Sequence, residues 1–145
     1  MGESPKPNAR MKRRKSARRD PASPGSIFVV DDNATLVEFA ARVLESAGYQ
    51  VRYFCDPKAV LQALQKADPK PEVLVTDYDM EGMNGLELII SSHRIHPRLK
   101  TVILSGTVDF SMTSTHPARV HRFLGKPYEP AQLKNVVAEL LTASS

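Results

Sequence analysis

From Ser26 onward, apolar positions follow two alternating patterns. Short dense runs occur at Ile27-Phe28-Val29-Val30, Val51-Arg52-Tyr53-Phe54, Val73-Leu74-Val75, Thr101-Val102-Ile103-Leu104 and Val120 to Leu124. Runs of this length suit strands, and the continuously apolar ones suit strands buried on both faces of a parallel sheet. Between them, apolar residues recur at helical spacing. Asn33 is placed to cap a helix whose stripe is Leu36, Ala40, Val43, Leu44 and Ala47, ending at Gly48. Asp56-Pro57 reads as the cap and first residue of a second helix bearing Val60, Leu61 and Leu64, which Pro69 and Pro71 stop. A Gly-rich turn from Glu81 to Gly85 leads into a third, with Leu86, Ile89, Ile90 and His93. The last helix shows a full stripe of Leu133, Val136, Val137, Leu140 and Leu141. Five βα units in about 120 residues predict an α/β fold built on a doubly wound, five-stranded parallel sheet.

Charge divides the chain differently. Residues 1–25 hold eight Lys/Arg against Glu3 and Asp20, a net +6, which leaves −2 of the chain's +4 for the other 120 residues. The same segment has four prolines and almost nothing apolar, so it cannot offset its own ordering entropy. It is expected to be a disordered basic arm, with residues 26–145 forming the folded domain. Any nucleic-acid contact would run through that arm, because Trp is absent and aromatics are only 6%. No apolar run approaches the ~20 residues of a membrane span, and no signal-peptide pattern is present. The single cysteine, Cys55, excludes an internal disulfide and is expected to be a small buried hydrophobe. These features point to a cytoplasmic protein with no membrane partner. The four histidines lack metal-ligand spacing and read as packing residues.

In doubly wound sheets, ligands bind beyond the carboxyl ends of the strands. There the chain places Asp31-Asp32, Asp77 with Asp79, Ser105, and Lys126-Pro127. Three or four converging carboxylates repel one another unless a cation joins them. Mg²⁺ fits best, because it accepts one or two carboxylates and leaves room for phosphate oxygens. With the Lys126 ammonium and the Ser105 hydroxyl beside it, one carboxylate could act as the nucleophile in phosphoryl transfer.

The chain resembles the receiver domain of bacterial two-component response regulators, which has a flavodoxin-like (βα)5 fold. The resemblance rests on Val29-Val30-Asp31-Asp32-Asn33, on Val75 to Leu86, on Ile103-Leu104-Ser105-Gly106 and on Phe123-Leu124-Gly125-Lys126-Pro127-Tyr128, and covers residues 26 to about 142. It implies that Asp77 is the phosphoacceptor, that Asp31 and Asp32 bind Mg²⁺, and that Asp79 contributes a backbone carbonyl ligand. It also implies that Ser105 is the switch hydroxyl, Lys126 the invariant cation and Phe123 the switch aromatic, with a cis Lys126-Pro127 bond. A histidine kinase or histidine phosphotransfer protein would donate the phosphoryl group, and an unidentified downstream protein would read the switch. The chain stops after its last helix, so a stand-alone receiver without an output domain is expected, or else a phosphate sink in a phosphorelay. It would catalyse only its own phosphorylation and autodephosphorylation. Two departures stand out. Glu81 replaces the family's usual Pro, which affects loop stiffness rather than chemistry. Val108 to Arg119, where the family has a helix, is Ser/Thr-rich and is expected to be short, mobile or non-helical. A rival resemblance is to haloacid-dehalogenase-type phosphatases, which share a DxD motif like Asp77-Tyr78-Asp79. In those enzymes, however, the nucleophile strand comes first and an acidic pair comes late.

Overall fold

A computed structural model describes residues 25–106 and 119–142. Of the predicted arm only Gly25 is described, and of the Val108 to Arg119 segment only Arg119. The elements are β1 (Ser26–Val30), α1 (Ala34–Ser46), β2 (Gln50–Phe54), α2 (Pro57–Lys66), β3 (Val73–Asp77), α3 (Gly85–Ile95), β4 (Lys100–Ser105), β5 (Arg122–Gly125) and α4 (Pro130–Thr142). The strands form one parallel sheet in the order β2-β1-β3-β4-β5, as the alternating pattern predicts. Among the described residues, no helix is long and apolar enough to cross a membrane.

Side chains alternate across each strand and so feed two cores. Ile27, Val29, Val75, Val102 and Leu104 pack with α1 and α4, while Phe28, Val30, Leu74 and Ile103 pack with α2 and α3. Both predicted caps are in place: Asn33 accepts from the Leu36 N–H, and Asp56 accepts from the Lys58 N–H. Gly48 follows α1 at φ 97°, a left-handed conformation that glycine adopts without steric cost.

Three local expectations fail. The buried face of α1 is Val37, Ala40, Ala41, Val43 and Leu44, so Leu36 is 41% exposed and Ala47 is also exposed. Cys55 is exposed, because it follows the edge strand β2 at the turn into α2. The fifth strand starts at Arg122 rather than Val120.

The residues before β5 are anchored by a histidine. Thr101 donates its N–H to His121 Nδ1 (3.1 Å), and the His121 N–H donates to the Thr101 carbonyl (3.0 Å). Nδ1 must therefore be unprotonated. Burial, followed by the nearby charges of Arg119, His93, Lys100 and Arg122, lowers the His121 pKa to about 4. His93 and His96 are lowered too, chiefly by burial. A histidine depressed in the fold stabilises it above pH 6.5, and that stability is lost as pH falls toward the folded pKa. Between pH 7 and 4, wild type should lose on the order of 2 kcal/mol more than His121→Asn, allowing for solvent screening. Urea midpoints at the two pH values measure this, and equal losses would exclude His121 as the group responsible.

Candidate functional site

The carboxyl ends of β1, β3, β4 and β5 assemble the site. Val30 pairs with Thr76, so Asp31, one step beyond β1, comes level with Asp77 at the end of β3. Asp77 pairs in turn with Leu104, the neighbour of Ser105. Ser105 pairs with Gly125, the residue before Lys126. The Lys126 N–H donates to the Ser105 carbonyl at 2.9 Å, and the Lys126-Pro127 bond is cis.

Lys126 Nζ lies 2.8 Å from Asp77 Oδ1 and 3.1 Å from Asp31 Oδ2. Asp31, Asp32 and Asp77 each offer an oxygen within 4.8 Å of the others. Asp31 and Asp77 are buried and Asp32 is exposed. Asp31 and Asp32 are each also tied to the backbone. Asp31 Oδ1 accepts the Asn33 N–H (2.9 Å), fixing the residue that caps α1. Asp32 Oδ2 accepts the Glu81 N–H (3.1 Å). A proline at position 81 has no N–H to give, so the Glu81 departure alters how Asp32 is held and not loop stiffness alone.

Burial raises the Asp77 pKa, and repulsion from Asp31 and Asp32 adds to it, against the opposing pull of Lys126. For Lys126, burial disfavours the charge, but hydrogen bonds and attraction to Asp77 and Asp31 prevail and raise its pKa. One ammonium thus faces three carboxylates. The donor set is entirely hard oxygen, which suits a small divalent cation.

Among the described residues the carboxylate cluster has three members, the lower of the three or four that the sequence allows, and the Asp79 side chain is exposed. Ser105 is buried at the end of β4. Phe123 pairs with Ile103 and packs, half-buried, on the core beneath α2 and α3. The sequence marks Gly85 only as part of a turn. A Cβ there would sit 2.6 Å from the Asp77 carbonyl oxygen, so only glycine lets α3 start against the backbone of Asp77. The Asn84–Glu87 capping box, with both bonds at 2.9 Å, fixes that start.

Comparisons with known proteins agree with this geometry. The family profile described as response regulator receiver domain matches residues 27–138. The DNA-binding transcriptional regulator NtrC of Escherichia coli (strain K12) is 32% identical over 106 residues, which are 72% of this chain and 22% of NtrC. The response regulator receiver protein CpdR of Brucella abortus (strain 2308) is 29% identical over 119 residues, 81% of this chain and 98% of CpdR. The crystal structure of the receiver domain of NtrX from Brucella abortus superposes with a TM-score of 0.73 at 26% identity, covering 81% of this chain and 99% of that one. The chain therefore spans about a fifth of the length of NtrC but nearly all of CpdR.

Proposed function

Because this chain belongs to the response regulator receiver domain family, we propose that it is a phosphorylation-controlled signalling switch whose phosphoacceptor is Asp77. Receiver domains are signalling switches rather than classical enzymes, and they take phosphoryl groups from histidine kinases or phosphotransfer proteins. Family membership also removes the haloacid-dehalogenase reading.

The observation that carries the proposal is the Lys126 ammonium between Asp77 and Asp31, inside a carboxylate triad at the sheet's carboxyl edge. Lys126 engages Asp77 Oδ1, which leaves Oδ2 as the attacking oxygen. As Oδ2 bonds to phosphorus, the bond from phosphorus to the donor's imidazole nitrogen breaks and its electron pair stays on the imidazole. Asp31, Asp32 and Asp77 would hold Mg²⁺, with the Asp79 backbone carbonyl as a further ligand. Bound Mg²⁺ would neutralise charge on the transferring phosphoryl oxygens. Lys126 offers a second positive charge to the same oxygens.

A phosphoryl group on Asp77 presents new acceptor oxygens, and the Ser105 hydroxyl donates to one of them. Moving Ser105 inward frees volume beside β5, which Phe123 can occupy by rotating inward. That rearrangement changes the surface around β4 and β5 that a partner protein reads. Autodephosphorylation resets it.

Amide exchange tests the coupling. Phosphorylation should change exchange at residues 104–106 and 119–125, and leave residues 50–70 nearly unaltered. Ser105→Ala should still be phosphorylated but show a blunted change. An undiminished change in that variant would contradict the role given to Ser105.

A further inference from the structure

The three carboxylates are not held equally. Asp31 and Asp77 are buried, and the Lys126 ammonium pairs with both. Asp32 is exposed and carries the same charge as its two neighbours, so repulsion drives its side chain outward to solvent. Its carboxylate nevertheless stays within 4.8 Å of the other two. Among the described residues, one donor opposes the repulsion: the Glu81 N–H, 3.1 Å from Asp32 Oδ2 and 49 residues away along the chain. A hydrogen bond to an ionised acceptor is among the stronger kinds, and this one ties the end of β1 to the loop that follows β3.

That loop, residues 78–84, is braced on both sides of the donor. The Gly85 N–H closes its base on the Tyr78 carbonyl at 2.9 Å, and the Asn84–Glu87 capping box fixes its exit. Before Glu81, the Met80 sulfur accepts from the Thr76 hydroxyl at 3.9 Å. Directly after it, Gly82 turns the chain at φ 86°. Asp79, whose backbone carbonyl is the further ligand proposed above, lies two residues before Glu81 on the same loop.

We propose that the Glu81 main-chain N–H is a positioning group of the metal site, holding the Asp32 carboxylate beside Asp77 and the loop with the Asp79 carbonyl beside both. A divalent cation then meets ligands that are already assembled. The proposal rests on the reading that Asp31, Asp32 and Asp77 hold Mg²⁺. Hydrogen bonds that orient a ligand without touching the ion commonly carry about 10- to 100-fold in metal affinity. The role belongs to the peptide nitrogen, so any residue except proline can fill it. Proline, which the family commonly has here, separates two effects of opposite sign. It stiffens the loop, which favours a preassembled site, and it deletes the donor, which releases Asp32. Loss of the donor prevails.

Calorimetric Mg²⁺ titration of the full chain tests this. Glu81→Pro should bind about tenfold more weakly than wild type. Glu81→Ala keeps the N–H and should lose less than about threefold, the share of one exposed charge. Metal-free melting curves check that both variants fold. Amide exchange of the metal-free protein reads the bond itself without the proline variant. The Glu81 amide should exchange at least about fivefold faster in Asp32→Ala, and Asp32→Asn, which keeps an acceptor oxygen, should restore most of the protection. Wild-type affinity in a folded Glu81→Pro, an equal loss in Glu81→Ala, or a Glu81 amide as protected in Asp32→Ala as in wild type would each overturn the proposal. Absence of Mg²⁺ binding by wild type would overturn the reading of the metal site itself, and the proposal with it.

Discussion

Lys126→Met should cost the metal-free protein about 3 kcal/mol, because it leaves two buried carboxylates without their cation. Asp31 and Asp77 side chains are only 5% and 9% exposed, so water cannot replace the ammonium. Two treatments should restore stability. Asp77 already has a raised pKa, and removing Lys126 raises it further. A carboxyl raised in the fold binds its proton more tightly folded than unfolded, so the variant should recover stability as pH falls through the folded pKa. Mg²⁺ should recover it by a different route, by supplying a cation to the same oxygens. Phosphorylation by a small donor should fall by roughly a hundredfold or more even with Mg²⁺ present, since a charge aimed at the transferring group is lost. Urea melts at pH 7 and 5, with and without Mg²⁺, read the stability terms. A variant as stable as wild type at pH 7 without metal would show that Lys126 does not balance the cluster.

Asp32→Asn should move stability in the opposite direction. Asp32 is the exposed member of the triad, and its repulsion is one of the forces raising the Asp77 pKa. Asparagine keeps an oxygen that can accept the Glu81 N–H, so the tether that holds the 3.1 Å bond is preserved while the charge goes. The metal-free melting temperature should rise by a few degrees. Mg²⁺ affinity should fall about tenfold or more, because a hard cation loses an anionic oxygen ligand. Calorimetric titration together with thermal melts separates the two effects. Unchanged Mg²⁺ affinity would place the metal elsewhere. Opposite signs for two charge-removing substitutions a few ångströms apart are hard to obtain from any arrangement except an overcrowded anionic pocket.

Much of this architecture was legible in the residues. Ile27 to Val30 and Val73 to Val75 are apolar on both faces, and only a parallel sheet covered on both sides buries such strands. Once the strands are parallel, the residues after each one must share an edge, which is why the sequence alone groups Asp31, Asp77, Ser105 and Lys126. The rotation of α1 was not legible. Its run of small and apolar residues fits a stripe through Leu36 nearly as well as one through Val37, and only packing against β2 and α4 selects the second. Exposure of Cys55 was equally hidden, because it depends on β2 being the sheet's edge. Within the site, two contributions come from the main chain and leave no side-chain signature: the Glu81 N–H on Asp32 and the missing Cβ of Gly85 beneath Asp77. His121 read as a packing residue, yet its Nδ1 accepts a backbone hydrogen bond that joins β4 to the approach to β5.

The central claim is that Asp77 accepts the phosphoryl group, and one measurement addresses it directly. The full chain and Asp77→Asn are incubated with acetyl phosphate and Mg²⁺, and the intact mass of each is read before and after mild base. Wild type should gain a single base-labile phosphoryl group, and Asp77→Asn should gain none. Labelling of Asp77→Asn to the same extent as wild type would contradict the assignment.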